Sequence, residues 1–326
     1  MKGLLIGLTY DLRSDYISQG YAEADVAEFD FDDTIRALES TLQSLGHRPE
    51  RIGNARALCE RVVEGKRWDL VFNVAEGLKG RCRESQVPAI LELYDIPYTF
   101  SDPLVCALTL DKALAKKLVA AGGLRTPAFA VVSDPSEIAA VRLQYPLFAK
   151  PLAEGTSKGI DDRSRINGPG ELDLKCRDLL AKYLQPVLVE EFLPGREFTT
   201  GILGNGAGAQ VIGTMEMVMR GSPSEGIYTF DNKERCEILV DYYAPERGPL
   251  RTKIEELALK TFVLLECRDA GRVDIRLDQT GEPSFMEINP LPGMHPLHSD
   301  LPLIATQEGM SYPELVKRIV ENATNR

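Results

Sequence analysis

No CxxC pair, no apolar run long enough to cross a bilayer and no surplus of basic charge occur in this chain. The six cysteines, at positions 59, 82, 106, 176, 236 and 267, are scattered. That spacing excludes a zinc site and a disulfide framework and reads as the reduced thiols of a cytoplasmic protein. A formal net charge of −11 argues against nucleic acid or an anionic membrane as partner. A small anionic substrate is still compatible with it, because a local site can be basic on an acidic surface. The apolar run at residues 3–8 is too short for a signal peptide. No GxGxxG follows the first expected strand, which removes the support for a dinucleotide site, and the GK[ST] spacing of a P-loop is missing. Internal repeats and low-complexity tracts are absent as well.

What is present fits a soluble globular chain. Its 326 residues, 44% hydrophobic and 27% charged, suit two or three domains. Strands are expected over 4–8, 48–52 and 69–74, with helices over 34–45, where Ile35, Leu38, Leu42 and Leu45 form a stripe, and over 55–64. That alternation predicts an open parallel α/β unit across the first hundred residues, closed by a helix at 88–94 and the segment 96–99. His47 is expected at the surface after a helix end. A basic helix over 111–121 carries Lys112, Lys116 and Lys117. Strands at 126–132 and 147–151 flank a helix at 135–142. A strand at 187–192 breaks at Leu193-Pro194-Gly195, resumes over 196–203 and turns through Asn205-Gly206 into 210–218. Residues 219–235 make a polar stretch of the length of a functional flap. Helices at 253–267 and 312–322 complete the chain.

The densest chemistry lies in residues 271–296, GRVDIRLDQTGEPSFMEINPLPGMHP. With a period of two, Arg272, Asp274 and Arg276 face one side of a strand, and Val273, Ile275 and Leu277 face the other. After a turn at 278–283, a second strand puts Phe285, Glu287 and Asn289 on one face and Met286 and Ile288 opposite. As a hairpin, the pair sets Asp274, Glu287 and Asn289 side by side. Two carboxylates about 4 Å apart at an effective dielectric near 20 repel by roughly 4 kcal/mol. Either solvent on an open face or a cation between them relieves that cost. Hard oxygen ligands without His or Cys suit Mg²⁺, and the Pro- and Gly-rich loop that follows favours the metal. Upstream, residues 150–160 (KPLAEGTSKGI) place a Lys at a strand end before a loop rich in N–H groups, hydroxyls and positive charge. These groups hold phosphate oxygens, although such a loop is elsewhere an ordinary turn.

Taken in order, Asp111-Lys112, Lys150-Pro151 with 154–159 (EGTSKG), 190–199 (EEFLPGREFT), 271–274 (GRVD) and 286–294 (MEINPLPGM) resemble the ATP-grasp superfamily. The likeness is strongest to the D-alanine–D-alanine ligase family. Phe72-Asn73, Glu84-Ser85 and 96–99 (IPYT) resemble that family's first-domain segment, so nearly the whole chain is covered. The resemblance implies an ATP-grasp fold, α/β with an α+β C-terminal part. It implies a parallel α/β domain at 1–102, a central ATP-grasp subdomain at 103–187 and a metal-binding domain at 188–326. The implied activity is an ATP-dependent carboxylate–amine ligase that joins two amino acids or related compounds through an acyl phosphate. ATP and two Mg²⁺ ions, small amino-acid-like substrates, no nucleic-acid or membrane partner and a homodimeric state go with it.

Carried over residue by residue, the resemblance gives Lys112 and Lys150 the ATP phosphates, with Lys150 also near the adenine. Glu154, Gly155, Thr156 and Ser157 belong to the loop over the β- and γ-phosphates. Glu190, Phe192 and Leu193 line the adenine pocket beside Glu191, Glu197 takes the ribose hydroxyls, and Lys233 reaches in from the flap. Asp274, Glu287 and Asn289 bind Mg²⁺. Arg272 faces the reacting carboxyl group and, with Gly293 and Ser157, counts as catalytic. The loop after Gly293 cradles the second substrate, with His298 or Ser299 either touching its carboxylate or packing. The chemistry explains these residue types. A carboxylate becomes electrophilic only as an acyl phosphate, which needs cations to offset charge crowding, a fixed donor for the oxyanion and a lid against water.

Three departures fall on the amino-acid side. The family's Ser-x-Glu-x-x-Val-Ser segment, whose Glu holds the first ammonium, has no match in 7–20 (GLTYDLRSDYISQG). Glu23, Asp25, Glu28, Asp30 and Asp33 follow, as either an ammonium site or a solvated face. Lys233-Glu234 stands for Lys-Tyr, and 295–300 (HPLHSD) replaces a Ser/Thr-rich run. A ligase acting on a non-alanine acid or amine is therefore the alternative. A non-catalytic ATP-binding module is a second one, against which Arg272 stands.

Overall fold

Three sheets succeed one another along the chain, and the computed structural model describes residues 3–219 and 240–326 of it. The first hundred residues contain β1 (Leu5–Thr9), α1 (Arg13–Ser18), α2 (Asp32–Ser44), β2 (Arg48–Gly53), α3 (Ala55–Val63), β3 (Leu70–Asn73) and α4 (Gln86–Leu93). Their strands pair in parallel in the order β2-β1-β3, the unit that the alternation predicts. α3 starts where the Asn54 side chain accepts from the N–H groups of Arg56 and Ala57. His47 is buried rather than at the surface, because its Nδ1 accepts from the Leu4 N–H at 3.2 Å.

Next come α5 (Pro103–Leu110) and α6 (Lys112–Ala121). Between them Asp111 leaves helical geometry, and its carboxylate caps α6 through the Leu114 N–H at 3.0 Å. The cap fixes the first turn of α6, so Lys112 and, one turn on, Lys116 share a buried face. A four-stranded antiparallel sheet follows, made of β4 (Phe129–Val132), β5 (Leu147–Pro151), β6 (Arg165–Ile166) and, after α7 (Pro169–Tyr183), β7 (Val187–Glu191). Its order is β4-β7-β5-β6. The helix expected at 135–142 is a 3-10 helix over Pro135–Ala140. α7 buries Leu172, Cys176 and Leu179 on one face, and Lys175 is buried beside them, paired with Asp161 at 2.7 Å. The boundary expected after residue 187 meets the first residue of β7, and the chain leaves this sheet through residues 192–196.

β8 (Glu197–Leu203), β9 (Gln210–Met219), β10 (Val240–Tyr243), α8 (Pro249–Leu264), β11 (Ala270–Leu277) and β12 (Pro283–Asn289) build the third sheet. It is antiparallel, in the order β10-β9-β8-β11-β12. β9 runs to Met219, where the expected flap begins. Most of that flap, with Lys233, lies outside the described residues. The chain ends in α9 (Asp300–Gln307) and α10 (Tyr312–Thr324). Leu315, Val316, Ile319 and Val320 of α10 share one apolar cluster with Ile35, Leu38 and Leu42 of α2 and with Ile6 and Leu8 of β1. The last helix thus completes the core of the first sheet. Among the described residues, no helix is long and apolar enough to cross a membrane, and the five cysteines are free.

Ile319→Ala should therefore lower stability in urea unfolding by about 2–5 kcal/mol. Leu297→Ala removes a side chain that is 71% exposed and should change stability by less than about 0.5 kcal/mol.

Candidate active site

The β11–β12 hairpin pairs Arg272 with Asn289 and Asp274 with Glu287, as the alternation requires. Beyond that pair the register shifts, so Phe285 faces Ile275. The extra residue in β12 is a bulge that inverts the side-chain parity. Phe285 is consequently buried with Val273, Ile275, Leu277 and Ile288, and Met286 turns to the cleft instead. The expectation that Phe285 shares a face with Glu287 is corrected by this bulge. Asp274 accepts from the Thr199 hydroxyl at 2.9 Å and from Arg272 Nη1 at 2.8 and 2.6 Å. Burial, with Glu287 and Asp300 nearby, pushes its carboxyl up to about 6 against the pull of Arg272. The same Nη1 lies 3.2 Å from Asp300 Oδ2, a neighbour that the sequence did not suggest.

Facing the hairpin across the cleft is a cluster of lysines. Lys112 Nζ and Lys150 Nζ each stand 3.7 Å from Glu287 Oε2. Lys150 Nζ also lies 3.4 Å from Glu190, whose other oxygen is 2.9 Å from Lys116 Nζ. Burial opposes the charge on Glu190, but the two ammonium groups outweigh it and hold the carboxyl below its ordinary value. On Lys150 burial is likewise outweighed, by Glu190 and Glu287, and its pKa is raised. Lys116 is wholly buried and donates to Phe285 O and Thr126 Oγ1, both at 3.2 Å. A Lys on an amphipathic helix reads as solvent-facing, so only its i,i+4 spacing from Lys112 signals this role.

The cleft is lined by Lys112, Phe148, Lys150, Glu154, Gly155, Ser157, Lys158, Ile160, Glu197, Asp274, Arg276, Met286 and Glu287. Glu190, Glu191, Phe192 and Leu193 do not line it. Phe192 instead lies between the guanidinium groups of Arg165 and Arg276, at 4.9 and 5.3 Å. Glu197 Oε2 lies 3.2 Å from Arg276 Nη1. In the Gly/Ser loop, Thr156 and Ser157 have φ of 45° and 56°. Among the described residues the N–H groups of Thr156, Ser157 and Gly159 make no hydrogen bond, and the buried Thr156 hydroxyl has no partner. Orphaned donors beside three lysines fit a polyphosphate. No cluster of three or more His, Cys, Asp or Glu side chains able to hold a metal occurs among the described residues. Two carboxylates with an amide are nevertheless the donor set that Mg²⁺ takes when phosphate and water complete its shell.

On the substrate side, Gly293 is exposed, and the Ser299 hydroxyl accepts from the His295 N–H at 2.9 Å. An added Cβ at Gly293 would meet that hydroxyl at 2.7 Å. His298 is exposed and stacks on His295 with ring centroids 4.4 Å apart. The acidic residues after α1 divide. Glu23 and Asp25 are exposed, Asp33 pairs with His295 at 3.3 Å, and Glu28 pairs with Arg83 at 2.6 Å. Asp30 is pushed up to about 7 by burial beside Asp11. Glu76, which no motif marked, and Glu84, part of the first-domain resemblance, are half-buried, and their side chains make no hydrogen bond among the described residues. Burial, with Glu28 and Glu287 nearby, pushes Glu84 up to about 7.

Two antiparallel sheets with a cleft between them, orphaned donors on one and a carboxylate pair on the other, define an ATP-grasp protein. The family model described as D-ala D-ala ligase C-terminus matches residues 118–321. An uncharacterized protein of Sinorhizobium fredii is 34% identical over 259 residues, 79% of this chain and 75% of that protein. The D-alanine--D-alanine ligase of Bordetella petrii is 35% identical over 272 residues, 82% of this chain and 79% of that enzyme. The crystal structure of VanG D-Ala:D-Ser ligase from Enterococcus faecalis shares the fold, with a TM-score of 0.75 at 23% identity over 99% and 100% of the two chains. The chain belongs to the D-alanine–D-alanine ligase family. It is an ATP-dependent ligase that forms C–N bonds and uses ATP with Mg²⁺.

Lys116→Met leaves Glu190 buried with one counter-ion fewer, and breaking such a pair should destabilise the protein by about 3–5 kcal/mol in denaturant unfolding. Adding Glu190→Gln should recover part of that loss, since the isolated charge is then gone.

Proposed function

We propose that the protein joins two amino acids or amino-acid-like compounds in the cytoplasm, and that at least one of them is not D-alanine. The observation that carries the reading is the single hairpin face bearing Arg272, Asp274, Glu287 and Asn289, with Lys112 and Lys150 each 3.7 Å from Glu287. Lys112, Lys150 and the loop donors at 156–159 hold the β- and γ-phosphates, while Glu197 takes the ribose. Phe148, Ile160 and Met286 give the nucleotide its apolar walls. Asp274, Glu287 and Asn289 are the ligands for Mg²⁺, which screens the phosphate charge when bound.

The acid substrate's carboxylate attacks the γ-phosphorus of ATP, and ADP leaves an acyl phosphate. The amine then attacks the acyl carbon, and phosphate departs. Arg272 keeps Nη1 on Asp274, and its Nε and Nη2 make no hydrogen bond among the described residues. Those two donors, with the Gly293 N–H, are assigned to the oxyanion. Glu76 and Glu84 replace the family's missing Glu as acceptors for a substrate ammonium. Glu28 is unsuited to that role because both its oxygens are engaged. Two acids in place of one favour a substrate richer in positive charge than D-alanine.

The decisive experiment measures ADP release with Mg²⁺ and ATP across amino acids singly and in pairs, with product masses. ADP release above background by some pair, with loss of one water from the combined mass, is expected. No stimulation by any acid would refute the ligation of amino acids. Asp274→Asn should cut turnover by about a thousandfold or more with little change in melting temperature. Near-normal turnover would remove Asp274 from the metal site. Glu84→Gln should raise KM for one amino-acid substrate by about tenfold and leave KM for ATP within about twofold.

A further inference from the structure

The Gly/Ser loop has an anchor that its own sequence does not announce. Arg83 is buried, its side chain 8% exposed, and it donates from Nη1 to Ala153 O at 2.8 Å and from Nη2 to Glu28 Oε2 at 2.6 Å. The other oxygen, Glu28 Oε1, accepts from the Gly155 N–H. A Cβ on Gly155 would stand 2.6 Å from that oxygen, so the approach requires glycine. Residues 28, 83 and 153–155 thus meet in one buried ion pair that crosses from the first sheet's domain to the loop over the cleft. Burial works against the Glu28 charge, but Arg83 outweighs it and holds the carboxyl below its ordinary value.

The loop needs an anchor from outside. Thr156 and Ser157 both adopt positive φ, at 45° and 56°, a region that L residues rarely occupy. The loop's internal bonds, Lys158 N–H to Gly155 O and Ile160 N–H to Ser157 O at 3.0 Å, stay within it. Its other tethers are few: Lys112 and Gln185 reach Glu154, each at 2.6 Å, and Lys175 donates to Gly159 O at 3.3 Å. Among the described residues, the hydrogen bonds that reach it from the first domain come from Glu28 and Arg83.

We propose that Arg83, acting through Glu28, is a positioning residue that fixes the phosphate loop over the nucleotide and ties its closure to the N-terminal domain. Glu28 is spent on Arg83 and Gly155 and touches no substrate. Loss of either member releases Ala153 O and the Gly155 N–H together, so the two side chains act as a unit. This rests on the proposed reading that the loop holds the β- and γ-phosphates, so that its release weakens ATP more than ADP.

The test uses the full chain and nucleotide alone, so a failure of the amide-forming reading leaves it intact. Calorimetry gives Kd for Mg·ATP and Mg·ADP, and amide hydrogen exchange follows peptides across residues 153–159. Arg83→Ala should weaken ATP about tenfold, leave ADP within about twofold and speed exchange across the loop about tenfold. Arg83→Lys should restore most of the affinity. The double variant Glu28→Ala/Arg83→Ala should bind ATP no more weakly than the weaker single variant. Unchanged ATP affinity and exchange in Arg83→Ala, equal losses for ATP and ADP, or a double-variant loss equal to the product of the single losses would each overturn the proposal. If Arg83→Ala does not fold, Glu28→Gln decides. It keeps an acceptor for the Gly155 N–H without the ion pair, and should weaken ATP about threefold and raise loop exchange. No change in either quantity would refute the anchor.

Discussion

A carboxylate with no access to water, Glu190, sits between two ammonium groups, and the architecture of the cleft follows from that arrangement. An isolated charge in such a place costs several kcal/mol even after relaxation, so Glu190 is tenable only with Lys116 and Lys150 beside it. Lys150 also approaches Glu287, where Lys112 arrives from the start of α6. Charge therefore alternates from the central sheet, across α6, to the β11–β12 hairpin of the third sheet. The alternation holds the two sheets at a fixed separation and leaves ammonium groups facing the cleft before any nucleotide arrives. Electrostatic stabilisation of a phosphoryl transfer depends on such prior ordering, because no reorganisation is then required as charge moves.

How much of this was legible differs from residue to residue. The in-phase acids of the hairpin needed only a period of two and a turn, and the register Asp274 to Glu287 follows from them. The bulge at Met286 was not legible, because one additional residue in a short strand leaves no mark on composition, yet it exchanges the faces of Phe285 and Met286. The first parallel unit was readable from clean apolar stripes. α7 was not assigned, although Leu172, Cys176 and Leu179 keep a helical spacing, and its buried Lys175 with a distant aspartate gave no sign of lying in the core. Lys116 and the Glu28–Arg83 pair were hidden for a related reason. Sequence patterning assigns charged side chains to water, and their partners lie 74, 55 and 127 residues away.

The two halves of the site stand in different relations to the family. The nucleotide half keeps its motifs, and of their residues Lys112, Lys150, Glu154, Gly155, Ser157, Glu197, Asp274 and Glu287 line one cleft. The amino-acid half departs from the family in the loop after Gly293 and in the placing of its acids. Asp11 is tied up by Tyr16 and Gly77 at 2.5 and 2.9 Å, and Asp33 by His295. The Glu76 and Glu84 side chains make no hydrogen bond among the described residues, and Arg83 is a cation near both. The segment that carries Glu84 also carries Arg83. One short stretch of the first domain therefore touches the loop over the phosphates while facing the place assigned to the substrate.

The closing of α10 over α2 and β1 bears on how the chain is made. Ile6, Leu8 and Leu38 share their cluster with Leu315, Ile319 and Val320 of α10. During synthesis the first sheet therefore waits with an uncovered apolar face while the nucleotide-clasping sheets, whose cores are assembled from nearer segments, are free to form. The order of folding on the ribosome would then run against the order of the sequence, with the first domain the last to become native.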